Sequence, residues 1–248
     1  MQALAVRLED PFLKNISCMN YTKLSVLIAA YNEEKTILEI IKEVREADIG
    51  PLQKEIIVID NNSKDATAAL AGSVSGVRVL SEKRPGKGAA LKCGIKGATG
   101  DIVIFQDADL EYDPGDFAGV IAPILSGASE VVLGVRHTPR HSDWFIYYFG
   151  LLGNNAITQL TNWLYWNNAG EYEGCYKAFT KRLLDTVEVK TDNFDFDNEL
   201  VCKLLKRGVR TVDVPIRYYP RNYAEGKKIS WRHGVLILWT ILKYRFVD

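Results

Sequence analysis

Residues 101–109 read Asp-Ile-Val-Ile-Phe-Gln-Asp-Ala-Asp, and this stretch decides the fold class. A short run of apolar and β-branched residues that is entered from Gly100 is typical of an interior strand of a parallel sheet. Its carboxyl end carries Asp107 and Asp109, and Glu111 follows. In open α/β sheets, this edge is where ligands bind. We therefore expect the three carboxylates to lie at a ligand-binding edge.

Asp107 and Asp109 are spaced i, i+2, so their charges repel each other, and a hard divalent cation is the usual remedy. The pattern therefore predicts Mg²⁺ or Mn²⁺ at Asp107 and Asp109, with coordination positions left for phosphate oxygens. A second interpretation is a helix cap, because Asp109 and Asp113 precede Pro114, a favourable first helical residue. These residues alone leave both interpretations open.

The composition of the chain argues against several classes of protein. The chain has 248 residues, 47% of them hydrophobic, which suits one sizeable core rather than two full domains. Its formal net charge is zero, whereas a dedicated nucleic-acid binder usually shows a basic excess. The four cysteines show no C-x-x-C spacing, so we expect no disulfide framework or zinc site, and a reducing cytosol as the compartment.

The sequence also indicates whether the chain is expected to cross a membrane. Residues 1–23 are expected to form an N-terminal extension, and the first 20 residues do not resemble a signal peptide because charges and a proline interrupt them. No stretch approaches the ~20 apolar residues that a spanning helix needs. We expect a protein that is soluble or lies on a membrane without crossing it.

Strand and helix patterns alternate along the first half of the chain, which predicts an α/β fold with a doubly wound, mostly parallel sheet. Besides the strand that ends at Asp107, the patterns predict strands at residues 24–30, 55–60, 77–80 and 131–135, and helices at 33–47, 63–74, 87–98 and 114–125. Further along, a helix is predicted at 195–206 and one or two strands at 209–219.

Polar residues follow the first two strands, at the edge that also receives Asp107. Tyr31 and Glu33 follow the first strand, and Asp60 ends the second. A carboxylate at a strand end can accept the imide N–H of uracil or the ring N–H of guanine. Helix capping by Ser63 and Asp65 is the plainer interpretation of the second loop, and we expect both, with Asp60 as the base reader.

Two basic features suggest contact with phosphate. Lys87 lies between two glycines at a predicted helix start, although the spacing is not that of an ATP or NAD fingerprint and an ordinary turn is the plainer interpretation. Residues 219–232 place four cations among aromatic residues in a glycine-containing loop, which favours a loop that folds over a phosphorylated ligand. Arg136 and His137 also follow a strand at the expected ligand edge.

The C-terminal half is rich in aromatic residues. Residues 144–166 hold three Trp, three Tyr and two Phe, and residues 231–246 add further aromatics beside Arg and Lys. Aromatic side chains flanked by cations suit the interfacial zone of a membrane. The alternative is that both segments are core helices packed on the sheet, and one helix can serve both purposes on opposite faces.

Several motifs together resemble family 2 glycosyltransferases, with most similarity to the dolichol-phosphate or polyprenyl-phosphate mannosyltransferase-like branch. In chain order these motifs are LSVLIAAYNEE at 24–34, IIVIDNNSKDAT at 56–67, GKGAALKCGI from Gly86, IFQDADLEYDP from Ile104, GCYKAF at 174–179, FDFDNELVCKLLKRG at 194–208 and RNYAEGKKISWRHG at 221–234. The resemblance implies a glycosyltransferase-A fold, a nucleoside-diphosphate-sugar donor, a divalent cation and inversion at the anomeric carbon.

Carried over position by position, the resemblance assigns roles to individual residues. Tyr31 and Glu33 would line the nucleotide pocket, Asp60 would contact the base, and Lys87 would lie near the nucleotide. The metal and the sugar diphosphate would meet Asp107 and Asp109, and Asp109, Glu173 and Arg232 would take part in catalysis. Lys227 and Arg232 would lie near the phosphates. Apart from the resemblance, we expect donor contacts from Arg136, which follows a strand at the ligand edge, and from Lys228 of the basic loop.

Two departures from the family pattern affect these assignments. Relatives often carry two acidic residues and a glycine in the second loop, where this chain has Asp60, Asn61 and Asn62. Relatives carry an acidic residue near the acceptor where this chain offers both Glu171 and Glu173, and either could be the one positioned for chemistry, or both could be solvated at the surface.

The resemblance also implies a domain plan. Residues 24–248 would form a single catalytic domain. Residues 24–136 would form the nucleotide-sugar half, and residues 137–248 the acceptor half, with a basic lid loop at 221–232.

The function expected from all of this is in-line displacement at the anomeric carbon, most simply onto a polyprenyl or dolichyl phosphate at the cytoplasmic face of a membrane. A phosphate oxygen is already an anion near neutral pH, so it needs no general base, whereas a hydroxyl acceptor would need Glu173 or Glu171. Two rivals are a nucleotide-sugar-binding module without turnover and a nucleotidyltransferase. A nucleotidyltransferase would want a glycine-rich basic loop after the first strand, where this chain has Tyr31-Asn32-Glu33.

Overall fold

The computed structural model describes residues 20–137, 144–221 and 231–247, and for residues 137, 144–152, 231 and 232 it describes the backbone alone. In this part of the chain, a seven-stranded sheet runs in the order β3-β2-β1-β4-β6-β5-β7. The strands are β1 Lys23–Ala30, β2 Gln53–Asp60, β3 Val77–Ser81, β4 Ile102–Asp107, β5 Val131–His137, β6 Lys177–Thr180 and β7 Thr211–Arg217.

The sheet is mostly parallel, which confirms the predicted fold class. Strand β1 pairs in parallel with β2 and β4, β2 with β3, and β5 with β7. Strand β6 is antiparallel to both β4 and β5. The sequence patterns did not predict β6, because its four residues are all buried and too few to show a period.

The register brings three strand ends to one edge. Ala30 lies opposite Asp60 across the β1–β2 ladder, and Ala29 lies opposite Asp107 across the β1–β4 ladder. Residues 102–105 of β4 are buried, so this strand crosses the core, and its polar end lies at the edge of the sheet. The shared edge predicted from the sequence is confirmed.

Eight α-helices lie in the described part of the chain. They are α1 Ile37–Glu46, α2 Thr67–Gly72, α3 Lys87–Gly97, α4 Phe117–Leu125, α5 Trp144–Tyr165, α6 Lys181–Leu184, α7 Phe196–Lys206 and α8 Trp231–Phe246. A 3₁₀ turn at Pro114–Asp116 precedes α4, with the Asp113 side chain accepting from the Gly115 N–H at 2.7 Å. Asp113 therefore caps that turn, as the sequence suggested.

Helices α1 and α2 begin four residues later than their patterns predicted. Before α1, the N–H groups of Thr36 and Ile37 donate to the Glu33 carbonyl, which closes a turn. Before α2, the Asp65 side chain accepts from the Thr67 N–H at 3.0 Å. These polar residues therefore lie in loops at the edge of the sheet, where side chains can face a ligand, rather than in helices.

The C-terminal helices have a buried face and an exposed face. Tyr165 at the end of α5 donates its hydroxyl to the Ile241 carbonyl of α8 at 2.8 Å, and Ile241 is fully buried. By contrast, the side chains of Trp163, Trp166, Trp239 and Phe246 are 63–85% exposed. Among the described residues, no helix is both long and apolar enough to cross a bilayer.

At the amino-terminal ends of the parallel strands, a buried carboxylate links several segments of the chain by hydrogen bonds. Glu55 of β2 accepts from the hydroxyl of Ser25 at 2.5 Å, from the N–H of Thr99 at 2.9 Å and from the guanidinium of Arg78 at 2.6 Å. Burial alone would raise the pKa of Glu55, but these hydrogen bonds lower it from 4.5 to about 2. The ionised carboxylate therefore stabilises the folded chain.

We expect Glu55→Gln to lower the free energy of unfolding by about 2 kcal/mol at neutral pH, because it weakens hydrogen bonds to a buried charged group. Since the folded pKa is depressed, the stabilisation by Glu55 is complete above pH 4.5 and is lost as the pH falls toward about 2. Urea unfolding at several pH values measures this. A gap between wild type and variant that stays constant down to pH 2 would contradict the assignment.

Candidate active site

Two loops at the carboxyl edge are tied together by hydrogen bonds. The N–H of Asn32 donates to the Ser63 hydroxyl at 3.0 Å, and the Asn32 side chain accepts from the Lys64 N–H at 2.8 Å. The N–H of Glu33 donates to the Thr67 hydroxyl at 2.8 Å. The loops that follow β1 and β2 therefore form one surface, and Tyr31 lies exposed on it.

Asp60 and Asn61 are buried where β2 ends. One carboxylate oxygen of Asp60 accepts from the Ser63 N–H at 3.3 Å, so Asp60 helps to hold the turn. The amide of Asn61 donates to the Arg84 carbonyl at 2.7 Å and accepts from the Gly86 N–H at 2.8 Å. An aspartate could not donate the first of these bonds, which gives a structural reason for the asparagine here.

The turn at residues 86–88 is shaped by close backbone packing. A Cβ on Gly86 would lie 2.0 Å from the Asp192 carbonyl oxygen, and one on Gly88 would lie 2.9 Å from that of Asn193. The N–H groups of Gly88 and Ala89 donate to the carbonyls of Asn193 and Asp192. These two N–H groups already have partners, so the helix start does not present them to an anion. The plainer interpretation as a packing turn holds for the backbone.

The Lys87 side chain reaches the end of β4. Its ammonium lies 2.7 Å from Asp107 Oδ1. Burial opposes ionisation of Asp107, but the charge of Lys87 lowers the pKa of this carboxyl. Asp107 is therefore ionised, and the charge of Lys87 partly balances it.

Arg221, just beyond β7, occupies the space between the other acidic residues. Its guanidinium lies 3.0 Å from Asp109 Oδ2 and 3.4 Å from Glu33 Oε2. The Arg221 N–H donates to Glu111 Oε1 at 2.8 Å. The sequence placed Arg221 only at the start of a basic loop and gave no sign of these contacts, because the acids lie 110–188 positions away.

The pKa of Asp109 reflects its burial and the carboxylates around it. Burial and the charges of Asp107 and Glu111 raise it to about 7, against the opposing effect of Arg221. Carboxylate oxygens that repel each other in this way suit a hard divalent cation. Among the described residues, no three or more His, Cys, Asp or Glu side chains are grouped to hold a metal ion. Asp107 and Asp109 therefore fit a cation that takes its remaining ligands from phosphate and water, as Mg²⁺ commonly does.

Glu171 is fully engaged with its neighbours. Its carboxylate accepts from Arg136 Nε at 2.6 Å, from the Arg136 N–H at 2.9 Å and from the Asn154 amide at 2.7 Å. The Arg136 guanidinium also lies 4.9 Å from the centre of the Tyr218 ring. Because these bonds hold both side chains in place, Glu171 is poorly suited to act as a base. Arg136 as a donor contact stays a prediction.

Glu173 has a different environment. It lines a cavity of about 60 Å³ together with Lys87, Lys177, Phe194, Asp197, His233 and Ile237. One carboxylate oxygen accepts from the Asn198 amide at 2.7 Å. Burial raises the pKa of Glu173 above its ordinary value of 4.5. A carboxyl group with a raised pKa beside a cavity can take up a proton from a bound hydroxyl.

Lys177 is a second residue that the sequence patterns did not single out. Its ammonium is buried on β6, donates to the Gly174 carbonyl at 2.5 Å and lies 3.7 Å from Asp197. Three further residues were predicted to contact the donor. Lys227 and Lys228 are outside the described residues, and for Arg232 the structure describes only the backbone, which lies in α8.

Known structures share this architecture. Glucosyl-3-phosphoglycerate synthase from Mycobacterium tuberculosis in complex with UDP superimposes with a TM-score of 0.73 at 22% identity, over 95% of this chain and 84% of the other. A second structure of that enzyme, with Mn²⁺, UDP-glucose and phosphoglyceric acid, gives a TM-score of 0.70 at 23% identity, over 95% of this chain and 83% of the other. These similarities confirm the glycosyltransferase-A fold.

Relatives found by sequence include proteins named as sugar transferases. Glycosyltransferase AglJ of Haloferax volcanii is 26% identical over 79% of this chain, and undecaprenyl-phosphate 4-deoxy-4-formamido-L-arabinose transferase of Proteus mirabilis is 24% identical over 83%. The alignments span only 63% and 62% of the lengths of these two proteins. The uncharacterized protein MJ1222 of Methanocaldococcus jannaschii is 26% identical over 92% of this chain and 94% of its own length. The family model for glycosyl transferase family 2 matches residues 25–187, and the chain belongs to that family.

Proposed function

We propose that the chain is an inverting, metal-dependent glycosyltransferase that moves a sugar from a nucleoside-diphosphate-sugar to a polyprenyl or dolichyl phosphate. The observation that carries the proposal is the meeting of Asp60, Lys87, Asp107 and Asp109 at one edge of the sheet. Structures of the same fold hold UDP with Mn²⁺ or Mg²⁺. This edge supplies a polar strand end for a base and charged groups for a diphosphate.

The donor would lie across the carboxyl edge. Asp60 would accept a hydrogen bond from the base, and the exposed Tyr31 would cover the nucleotide. Asp107 and Asp109 would hold Mg²⁺ or Mn²⁺, which would neutralise the diphosphate charge that grows as the glycosidic bond breaks. Lys87 would keep Asp107 ionised and oriented, through their 2.7 Å contact.

The proposed acceptor is a lipid phosphate. Support comes from the relative named as an undecaprenyl-phosphate transferase and from the exposed aromatic side chains of α5 and α8. Arg245 lies over the ring of the exposed Trp166, at 5.1 Å, so a cation and an interfacial aromatic residue are adjacent. This arrangement suits binding at a membrane surface that carries anionic head groups, at the cytoplasmic face.

The second candidate is transfer to a hydroxyl of a glycan. The position of Glu173 favours it, because a partly buried carboxyl group with a raised pKa beside a cavity is what a general base requires. A binding module without turnover is less well supported, since Asp107 and Asp109 are intact. A nucleotidyltransferase would release pyrophosphate, whereas sugar transfer releases a nucleoside diphosphate.

The first test removes a metal ligand. Asp109→Asn should lower the rate of transfer at least ~100-fold, because stabilisation of the leaving diphosphate is lost. Release of nucleoside diphosphate in the presence of Mn²⁺ measures it. Asp113→Asn is the matched control, since Asp113 pairs with Arg217 at 2.6 Å, away from Asp109. Near-native turnover of Asp109→Asn would show that the metal assignment is wrong.

The second test separates the two acceptors. Glu173→Gln should leave transfer to undecaprenyl phosphate within about twofold of wild type and lower transfer to a sugar hydroxyl ~100-fold or more. If the hydroxyl is the acceptor, its rate falls as the pH is lowered toward the raised pKa of Glu173, because the base form is lost. Loss of transfer to the lipid phosphate in this variant would contradict the base-free mechanism.

The third test concerns the membrane. The protein should sediment with anionic phospholipid vesicles at low salt and be released at high salt. The double variant Trp166→Ala, Trp239→Ala should bind at least about fivefold more weakly, because two interfacial aromatic side chains are lost. Leu38→Ala, which removes an exposed apolar side chain of α1, is the control. Absence of vesicle binding by the wild type at low salt would contradict the lipid-phosphate acceptor.

A further inference from the structure

Arg221 contacts Asp109, one of the two residues proposed to hold the metal ion. Both oxygens of Asp109 have partners: Oδ2 lies 3.0 Å from the Arg221 guanidinium, and Oδ1 accepts from the Glu111 N–H at 3.2 Å. The Arg221 and Asp109 side chains are each 18% exposed, so solvent screens their contact only in part. The guanidinium also lies 3.4 Å from Glu33.

The fit of the guanidinium is incomplete. Its Nε is buried and has no hydrogen-bond partner among the described residues. It lies 4.0 Å from Glu111 Oε1, which is beyond hydrogen-bond distance. A buried donor without a partner is costly, so the contact with the acids is one that a better anion can displace.

We propose that Arg221 competes with the divalent cation for Asp109, so that the protein without donor binds the metal weakly and metal and donor enter together. The inference rests on the proposed function. A guanidinium and a divalent cation carry like charge and need the same carboxylate oxygen, so each weakens the binding of the other. A diphosphate offers the guanidinium an alternative partner of matching geometry, which frees Asp109 for the metal.

The backbone at Arg221 is held independently of its side chain. The Tyr219 N–H donates to the Glu111 carbonyl at 2.9 Å, and the Arg221 N–H donates to the Glu111 carboxylate at 2.8 Å. Tyr112 and Tyr218 form an antiparallel bridge. A substitution of the Arg221 side chain therefore leaves this segment anchored, and the fold can be checked by thermal unfolding.

The experiment titrates Mn²⁺ alone, without donor, and follows free Mn²⁺ by electron paramagnetic resonance. Arg221→Gln should bind Mn²⁺ about 10-fold or more tightly than wild type, because a positive charge in contact with the ligand is removed. Arg221→Lys keeps the charge and should bind more weakly than Arg221→Gln. Arg217→Gln is the matched control, because Arg217 pairs with Asp113 and Asp116 instead, and it should stay within about twofold of wild type.

Mn²⁺ affinity of Arg221→Gln equal to or below that of wild type would overturn the inference. Equal affinity of the Lys and Gln variants would also overturn it, since the charge would then have no effect. Titration of wild type with UDP or GDP in the presence of Mn²⁺ tests the proposed function separately. Failure of both nucleotides to bind would count against the proposed function, while the comparison with Mn²⁺ alone would still decide the role of Arg221.

Discussion

Four carboxylates, those of Glu33, Asp107, Asp109 and Glu111, converge where β4 ends, and their charges must be balanced for the chain to fold there. Lys87 balances Asp107 at 2.7 Å, and Arg221 lies among the other three. The two cations come from distant parts of the chain, one from the start of α3 and one from the segment after β7. The balance is incomplete, since burial and neighbouring charges still raise the pKa of Asp109 to about 7. Repulsion among these carboxylates favours a cation at Asp109, and the Arg221 guanidinium and a divalent metal ion are the two candidates for that position.

The same edge depends on close backbone contact between the two halves of the chain. The start of α3 packs so closely on residues 192–193 that side chains at Gly86 and Gly88 would collide with carbonyl groups. This packing carries Lys87 to Asp107 and, from the other side, brings the start of α7 next to Glu173. The cavity beside Glu173 is therefore lined by both halves. The division at residue 136 into a donor half and an acceptor half stays a prediction, but the site depends on both.

Local sequence patterns were sufficient to predict the strands and their common edge, but not the ion pairs that balance the charges there. Strand β4 and the common edge could be predicted because buried runs and their polar ends are local signals. The starts of α1 and α2 were predicted too early because Glu33 and Asp65 also suit a first helical turn. Strand β6 shows no period in four buried residues, and it places Lys177 inside the core. The contacts of Arg221 span more than a hundred positions, so no pattern in the sequence could show them.

Glu171 and Glu173 are two residues apart, yet their surroundings suit them to different tasks. Glu171 forms an ion pair with Arg136 and accepts from Asn154, so it holds the end of β5 against the loop before β6. Glu173 faces the cavity, and burial raises its pKa above 4.5. Environments that differ in this way usually separate a structural carboxylate from a reactive one. A lipid phosphate would not use that proton acceptor, whereas a sugar hydroxyl would, so uptake of a proton by Glu173 during transfer distinguishes the two acceptors.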